Sequence, residues 1–240
     1  MLIVDARHNG PPGSGNGGWT AGLIAATLAG SPAGAAAEVT LRQPPPLQTE
    51  LSVHATDDGL AVHDPAGLLI ASARWRTEPI EPAPPVSRME ALAATSRYPG
   101  HGSHHFPTCF VCGPARGDGL RIYPGRLPDG STAALFEVPP SAPAEAQVLM
   151  WAALDCPGGW TVIEPGRPWV LGRIAVAIDE LPEVDDECVI VGVPVRRDGR
   201  KAVIRTTAYG PTGALLARAE ATWIELAAKP VEPGGDSPPN

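Results

Sequence analysis

The sequence predicts an α+β fold in which two curved antiparallel sheets, each wrapped around a central helix, are joined in one chain. Three observations predict it. The chain repeats itself: GLLIASARW ends at Trp75 and GALLARAEATW ends at Trp223, after turns spelled Pro-Ala-Gly67 and Pro-Thr-Gly213. Each repeat closes a series of period-two runs containing an Asp-Gly turn, Asp58-Gly59 and Asp198-Gly199. Each series follows one small-residue helical stretch, GGWTAGLIAATLAG from Gly17 and AEAQVLMWAALDC from Ala144. Helix then meander, performed twice, is an internal duplication and describes the whole fold.

The elements follow in order. LIVDARHNG opens as a short strand, and the glycine- and proline-rich run after it cannot be a regular element. Asn16 is a good N-cap, and the absence of proline from Gly17 to Ser31 allows a helix of about four turns. Gly22, Ala25, Ala26 and Ala29 give that helix a narrow face that a neighbour can approach closely. From Glu38 to Arg76 the alternation EVTLRQ, LQTELSVHAT, GLAVHD, LLIASARW reads as antiparallel strands. TEPIEPAPPV is a proline-rich linker and SRMEALAATSRY a short connecting helix. GLRIYPG and STAALFEVPP form a hairpin around Asp129-Gly130; the second helix ends at Cys156-Pro157, and four strand-like runs from Trp169 to Leu226 complete the second meander. The expected units are 1–80 and 109–228, with a linker at 81–108 and a disordered tail at 229–240. One helix on about five strands cannot cover both faces of its own sheet, so the two units are expected side by side.

Composition narrows the function classes. With 240 residues and 43% hydrophobic content the chain can bury a substantial core. A net charge of −8 with scattered arginines argues against nucleic acid as the main partner, because phosphate binding needs a concentrated basic surface. No apolar run approaches the roughly 18 residues of a membrane-spanning helix, and MLIVDARHNG lacks the pattern of a secretion signal, so the chain reads as cytoplasmic. Its four cysteines, Cys109, Cys112, Cys156 and Cys188, are then expected to be free thiols. Gly13-Ser-Gly15-Asn-Gly17-Gly18 fits a dinucleotide fingerprint on paper, but the hairpins after it stand where a parallel crossover is needed.

NGGWTAGLIAATL in the first unit, with CFVCGPARGDGLRIYPG and VLMWAALDCPGGW in the second, resembles the hotdog superfamily, specifically its tandem double-hotdog acyl-CoA thioesterases. The resemblance implies a pseudo-dimeric chain. It also implies an active site between the paired units, a pantetheine-linked acyl thioester as partner, and hydrolysis by a carboxylate that activates water. It implies no cofactor and leaves homo-oligomerisation open. A non-catalytic acyl-thioester binding protein and an enoyl-thioester hydratase are the alternatives.

Asp155 is the expected catalytic residue. It stands on an apolar helix beside Trp151 and Ala152, just before Pro157, where burial and the negative end of the helix dipole should both raise its pKa. In the second half it occupies about the place that Ala25 holds in the first, so at most one of two pseudo-equivalent sites carries this acid. Double-type relatives add a hydroxyl residue and a glutamine on later strands. Here Glu220 and Thr222 are the nearest polar residues, which puts the standard mechanism in question. Asn16, Gly17 and Gly18 are expected to bind substrate, because unpaired N–H groups at a helix start can polarise a carbonyl oxygen. Trp19 and Trp151 are expected to line the acyl pocket. His101, His104, His105, Cys109 and Cys112 are the densest set of metal-type ligands. Lacking a second ligand pair, they read as a turn with packed thiols, and no metal is expected.

Overall fold

The computed structural model describes residues 1–30, 32–140 and 142–227; the tail at 229–240 lies outside them. In chain order the elements are β1 (Leu2–Ile3), α1 (Gly17–Ala25), β2 (Ala36–Leu41), β3 (Glu50–Thr56), β4 (Gly59–His63), β5 (Leu69–Arg76) and α2 (Arg88–Thr95), followed by β6 (Gly125–Arg126) and β7 (Thr132–Glu137). Then come α3 (Ala142–Ala153), α4 (Cys156–Gly159), β8 (Trp169–Ile178), β9 (Glu187–Asp198), β10 (Lys201–Tyr209) and β11 (Leu215–Glu225).

The strands form one sheet in the order β1-β3-β4-β5-β2-β8-β11-β10-β9-β7-β6. Where two sheets were expected, β2 and β8 pair antiparallel from Ala37↔Val176 to Thr40↔Arg173, so the two halves share one hydrogen-bonded ladder. Apart from the short outermost β6, the order mirrors itself about that seam. Reading outward, β2, β5, β4, β3 and β1 on one side stand where β8, β11, β10, β9 and β7 stand on the other. The repeated turns adopt the same geometry: Gly67 has φ 81° and Gly213 φ 83°, a left-handed conformation that glycine adopts without a Cβ clash.

Alternation along the strands separates two faces. Cys188 and Ile190 point into the main core with α1 and α3, whereas Val189 and Val191 point to the opposite face, against Ala91 and Ala94 of α2. The proline-rich linker also lies on that opposite face. Its Ile80 packs on Ala36 and Ala175, and its Ala83 N–H donates to Thr207 Oγ1 at 2.8 Å while the Tyr209 hydroxyl donates to the Ala83 carbonyl. A linker without internal hydrogen bonds is thus held by strand side chains. Thr207→Val should leave the buried Ala83 N–H without an acceptor and cost about 1–3 kcal/mol, measurable as a lower urea midpoint at unchanged slope.

Two helical boundaries differ from the sequence expectation. α1 ends at Ala25 rather than near Ser31, and Thr27 Oγ1 turns back to the Ile24 carbonyl. Pro157 does not end the second helix. The chain kinks at Leu154–Asp155 and continues as α4, because proline in a first helical turn forfeits only an N–H that has no intrahelical partner.

α1 and α3 cross in close contact within the main core. A Cβ built on Gly22 would stand 2.9 Å from Trp151 Cβ and 3.0 Å from Val148 Cα; on Gly18 it would stand 2.6 Å from both Asp155 Cβ and the Trp151 carbonyl oxygen. Glycine at these two positions brings the start of α1 onto the Asp155 kink.

Candidate active site

Asn16 caps α1 by accepting the Trp19 N–H on its Oδ1 at 2.8 Å, which leaves its amide nitrogen free to face α3. That Nδ2 donates to Asp155 Oδ2 at 3.0 Å, and the Gly18 N–H donates to the same oxygen at 2.9 Å. One carboxylate oxygen is therefore clamped by the helix start of the other half of the chain. The other, Oδ1, is buried and has no hydrogen-bond partner among the described residues. The clamp uses one of the N–H groups expected to meet a substrate oxygen: Gly18 serves Asp155, while Gly17 lines the adjacent cavity.

Asp155 is 2% exposed, and its pKa is raised to about 7. Burial is the main cause, since a charge taken out of water is penalised, and the Cys109 sulfur nearby adds to it; the Gly18 and Asn16 hydrogen bonds oppose the rise. Asp155 follows the end of α3 and stands at the N-cap of α4, so it lies between two helix ends.

The carboxylate stands on the wall of a cavity of about 410 Å³, within the range of small-molecule sites. Trp169, Leu171, Trp223 and Ile224 supply apolar walls. The indole N–H groups of Trp169 and Trp223 are buried without an acceptor among the described residues. Asn16 and Gly17 line the cavity. Trp19 and Trp151 do not. Trp19 is stacked on the His8 ring at 3.7 Å and edge-on to Phe110, and Trp151 is packed against Gly22, so both belong to the core. Glu220 is also elsewhere, paired with Arg76 and Arg205, and Thr222 is not part of the lining.

Other lining residues were not singled out from the sequence. Arg42 and Gln43, in the segment just beyond β2, line the cavity from the first half, so a glutamine reaches the site from a stretch where none was sought. Cys156 meets Cys109 with their sulfurs 3.8 Å apart, a contact between residues 47 positions apart that no local spacing announces. Asn16→Ser should keep the α1 cap but remove the side-chain donor to Asp155. Thermal stability is expected to stay within about 1 kcal/mol, with turnover reduced relative to the unaltered chain, as tested by melting and assay of the same preparation.

No known family profile matches the chain, and no curated protein matches it. Solved structures do. A conserved protein of unknown function with a hot dog fold from Alicyclobacillus acidocaldarius matches at 14% identity and TM-score 0.59, over 93% of this chain and 91% of that one. The tesB protein of Mycobacterium avium subspecies paratuberculosis matches at 12% identity and TM-score 0.56, over 90% and 89%. A proposed thioesterase II from Thermobifida fusca matches at 12% identity and TM-score 0.60, over 94% and 91%. With nearly the full length of each chain superimposed, and with one antiparallel sheet and buried helices in place, this protein has the hotdog fold.

Proposed function

We propose that the cavity binds an acyl-CoA or other pantetheine thioester and that Asp155 orients and activates the water that hydrolyses it. The observation that carries this reading is geometric. A buried carboxylate stands on the wall of an apolar cavity, with one oxygen fixed by two donors and the other unpaired. Water held at Oδ1 gives up a proton to the carboxylate as its oxygen bonds to the thioester carbon. The Gly17 N–H supports the oxyanion, and the proton leaves with the thiol as the carbon–sulfur bond breaks.

The same reading makes the chain a double hotdog, with units at 1–80 and 109–228 meeting as a pseudo-dimer at β2 and β8. The mirrored strand order and the matching Gly67 and Gly213 turns support the duplication. The start of α1 and the end of α3 then contribute to one site from different units. A hydratase would need a histidine coupled to Asp155, whose hydrogen-bond partners are Asn16 and Gly18.

The test is thiol release from a panel of acyl-CoAs, run beside calorimetric titration with CoA. Hydrolysis of at least one thioester supports the proposal. CoA binding without turnover of any panel member would replace it with the non-catalytic reading, and neither binding nor turnover would overturn both. No helix among the described residues is long and apolar enough to cross a membrane.

A further inference from the structure

Beside Asp155 lies a cluster that the proposed hydrolysis does not use. Cys109, Cys112 and Cys156 are free and buried, with their sulfurs within 4.8 Å of one another. Cys109 Sγ is 3.8 Å from Cys156 Sγ, and His104 Nε2 is 3.4 Å from Cys112 Sγ. A tetrahedral zinc ion, with bonds of about 2.3 Å to sulfur and about 2.0–2.1 Å to nitrogen, would space its ligands about 3.8 Å apart sulfur to sulfur and about 3.6 Å sulfur to nitrogen. The ligand missing from the Cys-x-x-Cys sequence is thus supplied by α4. His101 and His105 are not part of the cluster: His105 Nε2 contacts the Glu164 carbonyl oxygen, and His101 packs against Tyr98 and Tyr123.

We propose that Cys109, Cys112 and Cys156 bind one zinc ion and that His104, which contacts Cys112 but stands outside the three-sulfur group, turns in as the fourth ligand of a Cys3His site, replacing the sequence expectation of packed thiols without metal. Binding releases the three thiol protons to solvent. Three thiolates, a neutral imidazole and the dication leave one net negative charge. An N–H donor faces it: Asn16 Nδ2 stands 3.8 Å from the Cys109 sulfur. His104 is the weakest ligand of the four. Its Nδ1 accepts the Phe106 N–H at 2.9 Å, and a metal at Nε2 requires Nδ1 to carry the ring proton and give up that bond. The ion would tie the loop carrying Cys109 and Cys112 to α4, one residue beyond Asp155, and so act as a positioning element with all four ligands from the protein.

The site stands whether or not the cavity hydrolyses thioesters, and its test reads metal rather than turnover. Purified full-length chain, dialysed against buffered zinc and then against metal-free buffer, is expected to retain one zinc per chain. The reduced, metal-stripped chain titrated with cobalt(II) is expected to develop thiolate-to-cobalt charge-transfer absorption and the visible bands of a tetrahedral ion. Cys109→Ser, Cys112→Ser and Cys156→Ser should each lose stoichiometric metal, His104→Ala should weaken binding without abolishing it, and Cys188→Ala, on β9, should retain it. Absence of the thiolate–cobalt bands in the unsubstituted chain would overturn the proposal even where the cysteine variants do not fold, as would cysteine variants that keep their zinc.

Discussion

Asp155→Asn is expected to lower kcat for thioester hydrolysis by about 10²–10⁴-fold, the usual contribution of a positioned general base, while the chain stays folded. The change is nearly isosteric, and an amide oxygen can still accept from Asn16 and from the Gly18 N–H, which now donate to Oδ2 at 3.0 and 2.9 Å. What changes is the unpaired position: an NH2 group stands where Oδ1 stood, and it cannot take a proton from water. Removing a buried ionisable group also removes its desolvation cost, so melting temperature should hold or rise. Circular dichroism, thermal melting and CoA release on one preparation decide the matter. Turnover equal to that of the unaltered chain would exclude Asp155 from the chemistry.

Much of this architecture was legible because local rules and the global fold agree. Period-two alternation and the Pro-x-Gly turns announced antiparallel strands, the small-residue stretches announced the buried helices α1 and α3, and Asn16 announced the start of α1 by its capping chemistry. Asp155 stood out because a carboxylate on an all-apolar helix must be either paired or functional. The rest depends on pairings between distant segments. The single sheet arises from β2 meeting β8, whose backbone groups pair without a sequence code of their own. Trp19 and Trp151 looked like pocket walls because an aromatic on a helix names no partner; His8, Phe110 and Gly22 take those contacts. Cys156 could not be matched to Cys109 and Cys112 from spacing, since the fold alone brings α4 to that loop.

Gly18→Ala should damage both stability and activity, because its contact is with backbone and has no flexible side chain to move. The added Cβ would stand 2.6 Å from the Trp151 carbonyl oxygen and from Asp155 Cβ, closer than non-bonded atoms tolerate. α1 must then retreat from α3, at a cost of about 1–3 kcal/mol for overpacking, partly offset by the better helix propensity of alanine. That retreat lengthens the 2.9 Å bond from the Gly18 N–H to Asp155 and loosens the carboxylate whose position the reaction needs. Gly22→Ala separates the two consequences. Its Cβ would meet Trp151 Cβ at 2.9 Å and Val148 Cα at 3.0 Å, one turn farther along the same crossing and away from the clamp. Both variants should melt earlier, but only Gly18→Ala should lose most of its kcat when assayed well below its melting temperature. Equal losses of kcat in the two would mean that helix packing as a whole, rather than the hold of Gly18 on Asp155, sustains the site.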